Sequence, residues 1–312
     1  MELSLLLAKQ IASMFLMIFL GFISLKAKLI TPKDGKVLSK VAMYVVSPCM
    51  ILTAFQIEYS SDKLLGLGLA ALAAVIVHGV YILLAELLKK PLKLRKIERA
   101  SLIYSNAGNM IIPLVSAVIG SEWVFYTSAF IAVQTFLMWT HAKSLVQGEK
   151  DWSLKSVFLN PNIISICLSL ILFICRVKLP DIIASAASSM GNMIGPLCMF
   201  VIGMLIAEMN MKTLLSQKRA FLILLGRLIV FPLVTVSIFC FSGLSLLHPE
   251  AKQILFIVLL ASCSPQASSV TQFAQIYDSE PGYSSIINVV TTLSCIVTMP
   301  LIVMVYQLLS GM

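Results

Sequence analysis

Charge is scarce in this chain, and the scarcity decides its class. Only 12% of its 312 residues are Asp, Glu, Lys or Arg, where an ordinary soluble domain has about 25%. Acidic residues number 14 and histidines three. The seven cysteines (Cys49, Cys167, Cys175, Cys198, Cys240, Cys263 and Cys295) include no CxxC pair and lie in or beside apolar stretches. That excludes a zinc site or a disulfide framework, and they serve as small apolar residues. No metal and no cofactor is expected. No ATP-binding motif is present, which argues against direct ATP use. Long polar stretches are missing too. The longest, "QGEKDWSLKSVFLNPN" at 147–162, reads as a linker with a short interfacial helix around Trp152 and Phe158.

Apolar residues fill the space that charge leaves. They make up 59% of the chain, and the mean hydropathy is +0.97. One water-soluble core cannot hide that much apolar surface, so the expected class is an all-α integral membrane protein. Ten apolar segments of spanning length emerge, at 5–25, 37–57, 64–88, 100–120, 122–142, 160–176, 183–207, 219–243, 252–276 and 284–309. The first is broken by Lys9 and Gln10, and no small-residue cleavage site follows it. It reads as a span and not as a signal peptide.

The net charge of +9 does not point to nucleic acid, because the basic residues cluster between apolar runs. Seventeen of 23 fall in alternate connections: Lys26–Lys40, Lys89–Arg99, Lys143–Lys155 and Lys212–Arg219. Cytoplasmic loops carry such an excess, so both termini are expected outside the cell membrane.

The chain also repeats. Pro48 and Pro196 are 148 residues apart, Glu58 and Glu208 150, Pro113 and Pro265 152. The shared offset spans five segments. An odd number of crossings per repeat inverts the second copy in the membrane, a design found in many secondary transporters.

The fourth segment reads "SLIYSNAGNMIIPLVSAVIG". Pro113 has no N–H for the Asn109 carbonyl, and Gly108 frees the backbone. Asn106 and Asn109 share a helical face with Pro113. "GNMIIP" is therefore expected to separate two half-helices, with Met110 beside the break. The ninth segment, "LLASCSPQASSVTQFAQIY", surrounds Pro265 with Ser262, Ser264, Gln266, Ser268, Ser269, Thr271 and Gln272. Unpaired backbone inside a membrane must face protein or a wet cavity. Amides around Ile111–Pro113 and Ser264–Gln266 would then form an anion site at crossing half-helices. Kinks serving only packing are the competing reading.

Other intramembrane polar residues are ambiguous. Arg227 either helps to hold an anion or is structural, and His78 either relays protons or is satisfied in the core. Asn288, Thr291 and Thr292 read as helix–helix contacts. No Asp or Glu lies mid-way along the fourth or ninth segment, so a carboxylate cage for a coupling cation is not expected. Sodium held by carbonyls, Ser, Asn and Gln stays open.

These segments resemble the auxin efflux carrier family, which includes the plant PIN carriers and permeases for malate and malonate. "SNAGNMIIPL" is similar to the family's fourth-span pattern, and "ASCSPQASSVTQFAQIY" with "TTLSCIVTMPLI" to its ninth and tenth spans. The resemblance implies ten transmembrane helices in two inverted five-helix repeats, with broken, crossing fourth and ninth helices. It implies a scaffold of spans one, two, six and seven (residues 1–62 and 147–210) that dimerises, and a moving transport domain (63–146 and 211–312). Asn109, Pro113 and Pro265 carry over as binding elements. Ser264 and Gln266 replace an asparagine beside the second proline, which favours a small dicarboxylate over auxin. The expected function is alternating-access transport of an organic carboxylate across the bilayer. The alternatives are a carboxylate receptor without transport and an intramembrane hydrolase. No histidine is close in sequence to Ser105 or Ser264, which weighs against the last.

Overall fold

The computed structural model describes residues 2–148, 154–208 and 217–311. Among these residues every regular element is helical and none is a strand. In chain order they are α1 (Glu2–Lys26), α2 (Pro32–Val41), α3 (Ser47–Ala54), α4 (Ser61–Lys89), α5 (Lys96–Ile103), α6 (Ala107–Val118), α7 (Val124–Leu137), α8 (Lys143–Gln147) and α9 (Leu154–Phe158). There follow α10 (Pro161–Ile174), α11 (Asp181–Gly191), α12 (Ile194–Glu208), α13 (Lys218–Leu225), α14 (Phe231–Phe241), α15 (Ala251–Ser262), α16 (Ser268–Ile276) and α17 (Pro281–Ser310).

Among the described residues, four stretches are long and apolar enough to cross a membrane: Pro32–Ala54, Ser61–Lys89, Asp181–Glu208 and Lys218–Phe241. A fifth, in α17, bends by 54° between Cys295 and Val297. Pro300 explains that bend, since it clashes with the carbonyl four residues back, that of Ile296. Helix α1 runs unbroken over 25 residues, and the other expected spans are shorter or split. Interruption is the rule here. Five-residue π-helical turns at Ala42–Val46 and Gly226–Val230 each run into a proline, Pro48 or Pro232. A third occupies Met138–Ala142. The wider turn relieves the strain of a proline ring on the preceding carbonyls. In the interfacial linker, α9 is the expected short helix, with Phe158 exposed; Trp152 lies outside the described residues.

The fourth segment breaks, but not at "GNMIIP". Helix α5 ends at Ile103, Tyr104 is extended (φ −100°, ψ 129°), and α6 runs from Ala107 straight through Pro113. In the ninth segment the break falls at the expected proline, between α15 and α16. Pro113 and Pro265 are therefore not structural equivalents. Ser105 is paired with Gln266 across the crossing.

Two packing systems flank the crossing. Helix α1 lies against α12 so closely that a Cβ on Gly21 would stand 2.0 Å from the Phe200 carbonyl oxygen, and one on Gly203 1.9 Å from that of Ile18. Helix α3 packs on α10 and α11, while α4 packs on α7 and α15, and α17 on α13 and α14. Polar contacts gather the connections at two ends of α4. At the Lys89 end, Glu98 is fully buried and accepts from Arg219 Nη2 (2.8 Å), the Arg95 amide (2.8 Å) and Tyr283 Oη (2.9 Å). Arg95 also pairs with Glu280, and Arg99 with Glu86. Burial alone would raise the Glu98 pKa. Its hydrogen bonds, first that from Arg219, hold it down to about 2, so this carboxylate is ionised. At the Ser61 end, His248 Nε2 donates to the Asp62 carbonyl (2.8 Å) and Tyr126 Oη to Glu250 (3.4 Å).

Candidate functional site at the crossing of two broken helices

The two interruptions pair with each other. Asn106 N–H donates to the Pro265 carbonyl at 2.8 Å, and Ala267 N–H to the Tyr104 carbonyl at 3.0 Å. This antiparallel bridge supplies partners that helical geometry has withdrawn. It also explains where the fourth segment opens: the backbone leaves the helix where a neighbour's backbone can replace the lost bonds. Pro113 lies six residues into α6, beyond this bridge.

Four half-helix ends therefore meet. The carbonyl ends of α5 and α15 face Arg227, which is completely buried. Its Nη1 donates to the carbonyls of Leu102 (3.0 Å) and Ile103 (3.3 Å), its Nη2 to that of Ser262 (2.9 Å) and its Nε to that of Ser264 (3.1 Å). Tyr81 stacks 5.7 Å from the guanidinium carbon. Arg227 thus answers two negative helix ends at once. The π-turn at Gly226–Val230 carries it. A Cβ on Gly226 beside it would come 2.6 Å from Leu102 Cδ2, so the end of that side chain would have to move.

The amide ends are treated differently. Neither Asn106 before α6 nor Ala267 before α16 caps its own helix with a side chain. Beside them is a cavity of about 90 Å³. Among the residues around it are Asn106, Gly108, Ser105, Gln134, Thr135, Trp139, Ser269, and, from the other packing system, Ser47, Asn160 and Asn162. Ser47 Oγ and Asn162 Oδ1 are buried without a hydrogen-bond partner among the described residues. Gln134 clamps the break: its Oε1 accepts from Ser105 N–H (3.1 Å) and Oγ (2.7 Å), and its Nε2 donates to the Ser105 carbonyl (2.8 Å).

The expected residues divide accordingly. Asn106 and Gly108 line the cavity. The Asn109 and Pro113 side chains lie outside the described residues. Pro265 gives its carbonyl to the bridge. Ser264 Oγ turns back to the Leu260 carbonyl (3.2 Å). Gln266 points away, to Thr271 (3.2 Å) and Ser284 (3.0 Å), with Asn288 Nδ2 on its carbonyl (3.0 Å). Met110 lines a separate 10 Å³ void among Phe15, Leu114 and Met199. Gln272 is exposed. His78 is buried, its Nδ1 2.8 Å from the Ala74 carbonyl and its ring 4.9 Å from Phe130. The open amide ends lie at Ala107–Asn109 and Ser268–Ser269, not around Ile111–Pro113 and Ser264–Gln266, because each half-helix begins after the bridge. Sequence reasoning missed Gln134, a lone amide in the apolar run "FIAVQTFLMW", and Ser47, Asn160 and Asn162.

Among curated proteins none matches the chain. The profile of the family described as "Membrane transport protein" matches residues 6–155 and again residues 150–303. Helices that interrupt themselves to face a polar cavity fit such a protein. With both matches together spanning nearly its whole length, the chain belongs to this family of membrane transporters, that of the auxin efflux carriers.

Proposed function

We propose that this transporter carries a small organic carboxylate, malate- or malonate-like, by alternating access, with the anion held at the crossing. One observation carries the reading. The crossing is electrically asymmetric: Arg227 covers both carbonyl ends, while both amide ends are left without a side-chain cap beside a polar cavity. Each amide end is equivalent to roughly half a positive charge, and two of them suit an anion. Asn106, Gln134, Ser47 and Ser269 supply polar groups around it.

The proposed architecture is ten passes in two inverted five-helix repeats. Its support is threefold. The family's two matches meet near residue 150. The second and seventh segments are interrupted at comparable places, Ala42–Val46 and Asn192–Met193. Alternate connections gather at opposite ends of α4. The scaffold would comprise 1–62 and 147–210, and the moving part 63–146 and 211–312. Packing of α1 on α12 and of α3 on α10 and α11 agrees with that division. The basic connections would face the cytoplasm, with both termini outside.

Gly108 gives the test. It lines the cavity, and a Cβ built on it meets nothing within 4 Å. Gly108→Leu should fill the site without disturbing the fold. In proteoliposomes, radiolabelled malate counterflow should be saturable for the native chain and abolished by Gly108→Leu, with thermal stability unchanged. Malate binding without flux would turn the protein into a receptor. Full flux in the variant would remove the crossing as the site.

A further inference from the structure

A second polar chamber lies at the Ser61 end of the molecule, apart from the crossing. It is an open-mouthed hollow of about 350 Å³ lined by Gln56, Glu58, Tyr59, Phe173, Arg176 and Lys178, among others, with Glu58, Arg176 and Lys178 exposed at its mouth. Arg176 and Lys178 are two of the few basic residues outside the four Lys/Arg-rich connections. Neither forms an ion pair among the described residues.

The chamber is built. Helix α10 closes with the amides of Arg176 and Val177 on the carbonyls of Phe173 (3.1 Å) and Leu172 (2.9 Å). This closure puts its turn residue in the left-handed region, where glycine is usual. Here that residue is Arg176, at φ 56°. A non-glycine residue there costs about 1 kcal/mol. The strained backbone carries a guanidinium stacked 4.8 Å from the centre of the Tyr59 ring. Stacking leaves the edge of the guanidinium, with its N–H groups, free to meet a planar anion. Gln56 Oε1 accepts the Leu179 N–H at 2.8 Å and ties the two walls together. Glu58 adds one negative charge against two positive ones. Beneath, Phe173 lies 5.0 Å from Phe125 of α7, and Phe125 4.7 Å from Phe55, all three buried. This aromatic plug joins the second and sixth segments to the fifth, on which Gln134 sits.

We propose that this chamber is a capture site for a small organic carboxylate, held by Arg176 and Lys178 above the aromatic plug, from which the anion passes inward when the plug parts. It rests on the reading of the protein as a carboxylate transporter. A two-pronged guanidinium contact with a carboxylate is charge-assisted, and its loss should weaken binding about tenfold or more.

The test is malate titration of the full-length chain in phosphatidylcholine nanodiscs. The native chain should bind two malates. Gly108→Leu should remove the crossing site alone, and Arg176→Gln the chamber alone. Arg176→Gly guards against misfolding: it suits φ 56° and should fold at least as well, yet also lose the chamber site. In proteoliposomes Arg176→Gln should raise KM about tenfold at unchanged kcat. One malate per native chain, or an Arg176→Gln chain that still binds two, overturns the proposal, as does binding to no form at all. So does a parallel titration in nanodiscs containing phosphatidylglycerol in which that lipid, not malate, is the ligand that Arg176→Gln releases. If malate flux is normal and Arg176→Gln is silent, only the chamber fails. If Gly108→Leu keeps a malate that Arg176→Gln loses, but the native chain moves none, the chamber stands and the transport reading falls.

Discussion

At the scale of single residues, the polar groups inside the bundle have divided labour. Arg227 serves the protein's own carbonyls. Replacing it with Met would leave the ends of α5 and α15 buried without donors. Breaking a buried charged network costs about 3–5 kcal/mol. Arg227→Met should therefore lower the apparent melting temperature sharply in detergent, with Arg227→Lys intermediate. A variant as stable as the native chain would mean that water can cap these ends. Gln134 is a different case. It makes three hydrogen bonds to Ser105, and each is worth about 1 kcal/mol. Gln134→Leu should loosen the break, cutting transport more than tenfold while the protein still folds; uptake kinetics set beside thermal unfolding separate the two effects. Neither role is legible locally. "LLGRLIVFP" announces a costly buried cation, but its partners come from residues 35 to 125 positions away.

At the scale of elements, small residues set how closely helices approach. Gly21 and Gly203 admit direct backbone contact between α1 and α12, the membrane substitute for hydrophobic association. Gly203→Leu must separate the two helices, since even a Cβ would sit 1.9 Å from the Ile18 oxygen. Overpacking of this kind costs about 1–3 kcal/mol or more. The expected outcome is a lower melting temperature, whereas Gly68→Leu, with open space at its Cβ, should be neutral. Proline was a fair but imperfect guide to element boundaries. Pro265 marks its break, and Pro48 and Pro232 follow π-turns. Pro113 sits inside a continuous helix. The ring removes a donor and crowds one carbonyl, yet which neighbour relieves the backbone is not written beside it.

At the scale of the whole molecule, Phe55, Phe125 and Phe173 pack against one another beneath the far chamber, which Phe55 and Phe173 line. Under the alternating access proposed above, this aromatic contact would have to open. In a chain whose native cysteines are replaced, Phe55→Cys with Phe125→Cys bridged by a bifunctional thiosulfonate should arrest malate flux, and reduction should restore it. Unimpaired flux in the bridged protein would show that the plug does not move during transport.

Composition and pattern alone determined that this is a helical, multi-pass membrane protein with interruptions in two of its segments. Bilayer energetics leave so apolar a chain no other solution, and glycine, proline and amides inside apolar runs have few tolerable uses. Only the tertiary structure decided where the fourth segment opens, which helix ends Arg227 covers and which amides remain exposed beside the cavity. Those choices depend on backbone groups of distant segments meeting at Ser105 and Gln266. A hydrogen bond between segments so far apart in the chain satisfies both, and neither segment's sequence can specify it by itself.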